Sequence, residues 1–285
     1  MHCSVSDAYL QKAKSDMGLA ELEKEAIDDI QASFNFQVAY GIPTNELFNV
    51  RYSISIQDEL ALFLKNPMTG GGRFLDAPKR VFVVQHHEWM ANQRLTGSPN
   101  NRGRYMYVPA IILLHENGDN ENSWCKKTLI HETLHSVSLY SRIWSKFPDI
   151  LSRHEALIEG ITECLTGYVL FKHHPACYSG WKTNQLDRCS ISYKERVRLW
   201  CSFCQVVGIT NLAKFYLSSK DSFSDPWSEF VQSINSLGFT QFNYPLDELK
   251  AFREPQFREV CVKTLSGFRE IYDTQTKCFD FSKIP

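Results

Sequence analysis

Two histidines and a glutamate share one short run, His131-Glu132-Thr133-Leu134-His135. On a helix, residues four apart lie on one face. His131 and His135 can therefore present two imidazoles to one metal ion, with Glu132 at the edge of that face. Two ligands beside a carboxylate that can take a proton from metal-activated water make up most of a hydrolytic zinc site. Glu159 and Glu163 repeat the four-residue spacing on a later stretch. One of them can supply the third ligand and the other can stand behind a ligand. A plainer reading needs no metal: a buried helix whose histidines are merely hydrogen-bonded, since short motifs also match by chance.

The elements that must position these groups are marked nearby. Trp124 to Tyr140 contains neither Pro nor Gly, and Asn122 or Ser123 offers an N-cap. Ile130, Leu134 and Val137 form an apolar stripe that can hold this helix in a core. The spacing predicts a second helix over Arg153 to His173, with Leu157, Ile158, Ile161, Leu165 and Val169 on its apolar face. Gly160 and Gly167 weaken that helix and imply close approach to another element, with the metal helix as candidate.

Upstream, Asp16 to Tyr40 reads as a helix through Leu19, Leu22, Ala26, Ile30 and Phe34, stopped by Gly41-Ile42-Pro43. Asn49 to Ile56 and Arg80 to Gln85 read as strands, and Asp58 to Lys65 as a short helix. His86-His87-Glu88 at the second strand's end would point to opposite faces, as surface or supporting residues. Asn66 to Gly72 and Leu95 to Arg104 read as loops, the latter exposed and able to act as a flap. Tyr105 to Leu114 reads as one strand with Pro109 inside it. Proline cannot donate to a ladder, so this strand belongs at a sheet edge, where an extended peptide can add. Ser141 to Ser152 reads as a connector and Tyr178 to Asp187 as a loop. Ser192 to Val207, Asn211 to Ser218 and Ser224 to Leu237 read as helices, with further pieces in Leu246 to Phe268. Strands and helices mix early and helices dominate late, which is an α+β pattern. It divides into residues 1–145, carrying the metal helix, and residues 146–285, carrying the glutamate helix.

The 285 residues are 43% hydrophobic and 13% aromatic, enough for one large domain or two subdomains sharing a cleft. Lys plus Arg number 31 against 32 for Asp plus Glu, a balance unlike that of a nucleic-acid-binding domain. Apolar runs are too short to span a membrane, and Met1 to Gln11 lacks a secretory pattern. The nine cysteines are odd in number and irregularly spaced. Together these features give the expectation of a cytoplasmic protein with no membrane partner. Cys201-Ser202-Phe203-Cys204, with Cys177 and Cys189, offers four thiols for a structural zinc. The first pair falls in a continuous helical run, so core cysteines are the better reading, as for Cys125 and Cys164. Cys3 could cap a zinc ion through its thiolate.

The His-Glu-x-x-His run followed by Glu-Gly-x-x-Glu resembles the gluzincin zinc metallopeptidases, the group that includes thermolysin and related aminopeptidases. The resemblance covers roughly Tyr105 to Phe171 and is similar in layout to the compact single-domain members. It implies a zincin-like fold, with a small mixed sheet, an edge strand beside the active-site helix and a mainly helical C-terminal part. It also implies one zinc per chain held by His131, His135 and Glu159, with Glu163 hydrogen-bonded to a ligand histidine and Glu132 as general base. The partner would be a peptide or protein substrate. The residue before Glu159 is Ile158, where many members carry asparagine. His154, 19 residues after His135, is the competing third ligand, as in three-histidine peptidases. The metzincin extension would need glycine at 138 and histidine at 141, where this chain has Ser138 and Ser141. No downstream motif marks the oxyanion donor; Tyr178, Tyr193, Tyr216, His173 and His174 are candidates by type. Arg196 or Arg198 could anchor a substrate carboxylate. The alternative function is a catalytically silent zinc-binding regulatory or peptide-binding protein with a peptidase fold. A metal-free helical protein is the third reading.

Overall fold

The structure is a computed structural model. It describes residues 16–35, 81–84, 86–106, 111–115, 126–143, 148–178, 194–218, 228–229, 232, 271–273, 275 and 278–284. These combine helices with a small three-stranded mixed sheet, an α+β composition. The strands expected at Asn49 to Ile56 and the elements expected over 58–72 and 246–268 lie outside the described residues, as does most of Ser224 to Leu237. No described helix is long and apolar enough to cross a membrane.

The chain forms two compact units. The first contains α1 (Asp16–Phe34) as far as Ile30, and β1 (Val81–Val84), α2 (His86–Ala91) and α3 (Gln93–Thr96). It also contains β2 (Gly103–Met106), β3 (Ile111–His115) and α4 (Lys126–Val137) as far as Ser136. In α1, Leu22, Ala26, Ile30 and Phe34 are all buried, as their four-residue spacing requires. The helix ends earlier than the expected Tyr40. Asn35 takes a left-handed φ of 57° and its N–H bonds back to Gln31 O, an ending that asparagine tolerates better than most residues.

The sheet order is β1-β3-β2, with β1 parallel to β3 and β2 antiparallel to it. This corrects the single edge strand expected over Tyr105 to Leu114. The run is an antiparallel pair, with Met106 opposite Ile111, and Pro109 falls between the two strands, outside the described residues. A proline between two strands and a proline on an edge strand give the same sequence signal. The strand before the metal helix is therefore central, and every residue of β3 is buried, which is what a continuous Ile-Ile-Leu-Leu run allows. The edge strand among the described residues on that side is β2.

Two further expectations change here. His86 and His87 open a short helix rather than ending a strand, and both are exposed. Leu95 to Arg104 is not a free loop. Leu95 and Thr96 are buried, Thr96 Oγ1 donates to Trp89 O at 3.0 Å, and Arg104 Nη1 donates to Leu95 O at 2.9 Å.

The second unit holds α5 (Leu139–Ile143), α6 (Pro148–His173), α7 (Pro175–Tyr178), α8 (Lys194–Val207) and α9 (Ile209–Tyr216). A short tail follows: β4 (Tyr272–Asp273) pairs with β5 (Cys278–Phe279), and a 3-10 turn spans Phe281–Lys283. Helix α6 begins at Pro148, five residues before the expected Arg153; proline suits a first helical turn, where its missing N–H costs nothing. Ile158, Ile161, Leu165 and Val169 are buried, and α6 packs on α8. The tail is held by Tyr178, whose hydroxyl donates to Phe279 O and accepts from Phe281 N at 3.1 Å.

Candidate metal centre

Helix α4 carries the motif. Ile130, Leu134 and Val137 are fully buried, as their stripe predicts, and burial continues around the whole helix from Lys126 to Val137. His131 and His135 are consequently 8% and 4% exposed, and Glu132 7%. The two rings meet nearly edge to face, at 76°, with Nε2 of one 3.2 Å from Nε2 of the other. Two nitrogens bound to one tetrahedral zinc at about 2.0–2.1 Å would lie about 3.3 Å apart, so the pair is already spaced for a shared ion.

A second histidine pair in the same unit shows the contrast. His86 Nδ1 lies 3.0 Å from His115 Nε2, with the ring planes within 10°. Their centroids are 5.2 Å apart, against 4.8 Å for His131 and His135, whose nitrogens are farther apart. The first pair is thus in line, as in a ring-to-ring hydrogen bond, while the second converges from an angle. His115 Nδ1 faces Asn101 O at 3.0 Å, so it carries the proton there and its Nε2 accepts from His86. Burial pushes the His115 pKa down, and Trp89 stacks on its ring at 4.6 Å.

One group among the described residues could hold a metal ion: His131, His135 and Glu159, whose ligand atoms all lie within 4.8 Å of one another. Glu159 lies on α6, partly exposed. Two imidazoles and one carboxylate form a recognised donor set of catalytic zinc, so the residues present fit that ion. Glu163, one turn further along α6, is fully buried. His154 lies on the same helix, five residues before Glu159; its side chain is outside the described residues.

The residues expected to serve the substrate are placed less favourably. The Tyr178 hydroxyl is committed to the tail. Tyr216 is fully buried against Thr162, and because Thr162 Oγ1 donates to Ile158 O at 2.8 Å, it accepts the Tyr216 proton. His173 and His174 follow Glu159 by 14 and 15 residues, which on α6 places His173 about 21 Å along the helix axis. The guanidinium of Arg198 stacks over the Tyr272 ring at 5.1 Å. Tyr193 and the side chain of Arg196 lie outside the described residues.

Cys164, Cys201 and Cys204 are fully buried thiols outside any disulfide, with Cys164 Sγ 3.4 Å from Cys201 Sγ. The core reading holds for these three; Cys3, Cys125, Cys189 and the Cys177 side chain are outside the described residues. Gly103, which reads from sequence as part of an exposed loop, instead starts β2 and lies against Glu132. A glycine inside a strand signals close backbone approach, but that signal needs the strand to be recognised first.

No protein-family model, curated protein or solved structure matches the chain at a significant level.

Proposed function

We propose that the chain is a zinc-dependent metallopeptidase of gluzincin type. The observation that carries this reading is the convergence of His131, His135 and Glu159 beside the buried carboxylate of Glu132. His131 and His135 would hold the ion through Nε2 and Glu159 through a carboxylate oxygen. Zinc, when bound, supplies Lewis acidity to the substrate carbonyl and acidity to a water molecule. The Glu132 carboxylate takes the proton of the attacking water and passes it to the leaving amine. Glu163 fixes the orientation of a ligand imidazole from behind, a role that carboxylates commonly fill at such sites.

A second reading, a zinc-stabilised peptide-binding protein without turnover, is favoured by one observation. The hydroxyls of Tyr178 and Tyr216 are both engaged within the fold, which leaves the oxyanion donor unassigned. Incubation with a broad peptide library separates the two. The peptidase reading predicts cleavage that a chelator abolishes and added zinc restores. Tight binding of intact peptides without cleavage would replace it with the second reading, and neither binding nor cleavage would remove both.

A further inference from the structure

Gly103 has ordinary strand geometry: the described glycines with positive φ are Gly97 and Gly208. Its backbone therefore gives no reason for glycine, and a residue with a side chain would make a better strand. The reason lies in what surrounds it. A Cβ built on Gly103 would stand 2.6 Å from Thr128 Cγ2, 3.0 Å from Glu132 Cγ and 3.1 Å from Glu132 Oε1. The first distance is one that real Cβ atoms essentially never show, and the other two are tighter than most.

Neither side has room to withdraw. Gly103 is in register with Leu114 of the central strand, and the flanking contacts His115 N to Arg102 O and Arg104 Nη1 to Leu95 O, both 2.9 Å, pin the strand on either side. Opposite it, α4 is buried around its whole circumference. We infer that Gly103 is a positioning residue for Glu132. The bare backbone of the edge strand is the wall against which the carboxylate rests, and it fixes where the proton acceptor sits relative to His131 and His135. The inference rests on the role proposed above for Glu132.

Two variants test it. Gly103→Ala crowds both Thr128 and Glu132, while Gly103→Ala with Thr128→Ser removes the Cγ2 clash and leaves the Glu132 contact. The double variant is expected to regain the urea midpoint of the parent protein and to keep one zinc per chain. Its kcat should stay about 100-fold down with KM little changed, the scale of loss that a misplacement of about 1 Å produces. Its Glu132 side-chain methylene resonances, assigned by their loss in Glu132→Gln, should remain displaced. Recovery of kcat together with stability, unmoved Glu132 resonances, or collapse of both variants would reduce Gly103 to a packing residue and overturn the inference. If the parent protein cleaves nothing, the peptidase reading fails separately, and the resonance and stability arms still decide the role of Gly103.

Discussion

Glu132→Gln is expected to lower kcat by about 10²- to 10⁴-fold, the usual contribution of a general base, while leaving the zinc content unchanged. The substitution keeps the size and shape of the side chain, so the contact with Gly103 and the burial of α4 survive. It removes only the ability to accept a proton. His131 and His135 face each other 3.2 Å apart across the neighbouring turn and do not depend on Glu132 for that spacing. Loss of turnover together with loss of metal would mean that Glu132 holds the site together. Turnover near the parental rate would mean that another group takes the proton.

Trp200→Ala is expected to cost about 3–5 kcal/mol, the usual range for emptying a buried aromatic site. Trp200 is 1% exposed on α8 and stacks on Phe203 with ring centroids 5.0 Å apart. Val197, Cys201 and Cys204 on the same helix are fully buried, so the core around the indole is dense. Dense cores relax poorly into a new cavity. Domains are typically stable by only about 5–15 kcal/mol, so the variant should unfold at a clearly lower urea concentration. A midpoint within the error of the parent protein would show that the indole contributes little to this core.

How much of this was legible in the sequence depended on how local each feature is. The four-residue spacing of Leu22, Ala26, Ile30 and Phe34 identified α1, and the stripes of α4 and α6 were equally plain, because one face of one helix carries the whole signal. His131 and His135 were legible because their four-residue spacing falls within one helix, α4, and Glu159 because it falls within another, α6. The sheet was less legible. Whether Ile111 to His115 is central or at an edge depends on pairing with Val81 to Val84, a contact between residues far apart in the chain. Pro109 could not distinguish a break between two strands from an edge. Gly103 was missed because its importance lies in what faces it across a strand-to-helix contact. The tail was unreadable because its strands are two residues long, too short for any periodicity. His86 and His87 were misassigned because a six-residue helix directly after a strand shows less than two turns of pattern.

The most direct test of the central claim is the metal content of the purified protein beside that of Glu159→Ala and His154→Ala. The site described here predicts one zinc per chain in the parent, lost or strongly weakened in Glu159→Ala and retained in His154→Ala. Retention in Glu159→Ala with loss in His154→Ala would instead assign the third ligand to histidine. No bound metal in any form, even after zinc is supplied, would contradict the account at its root.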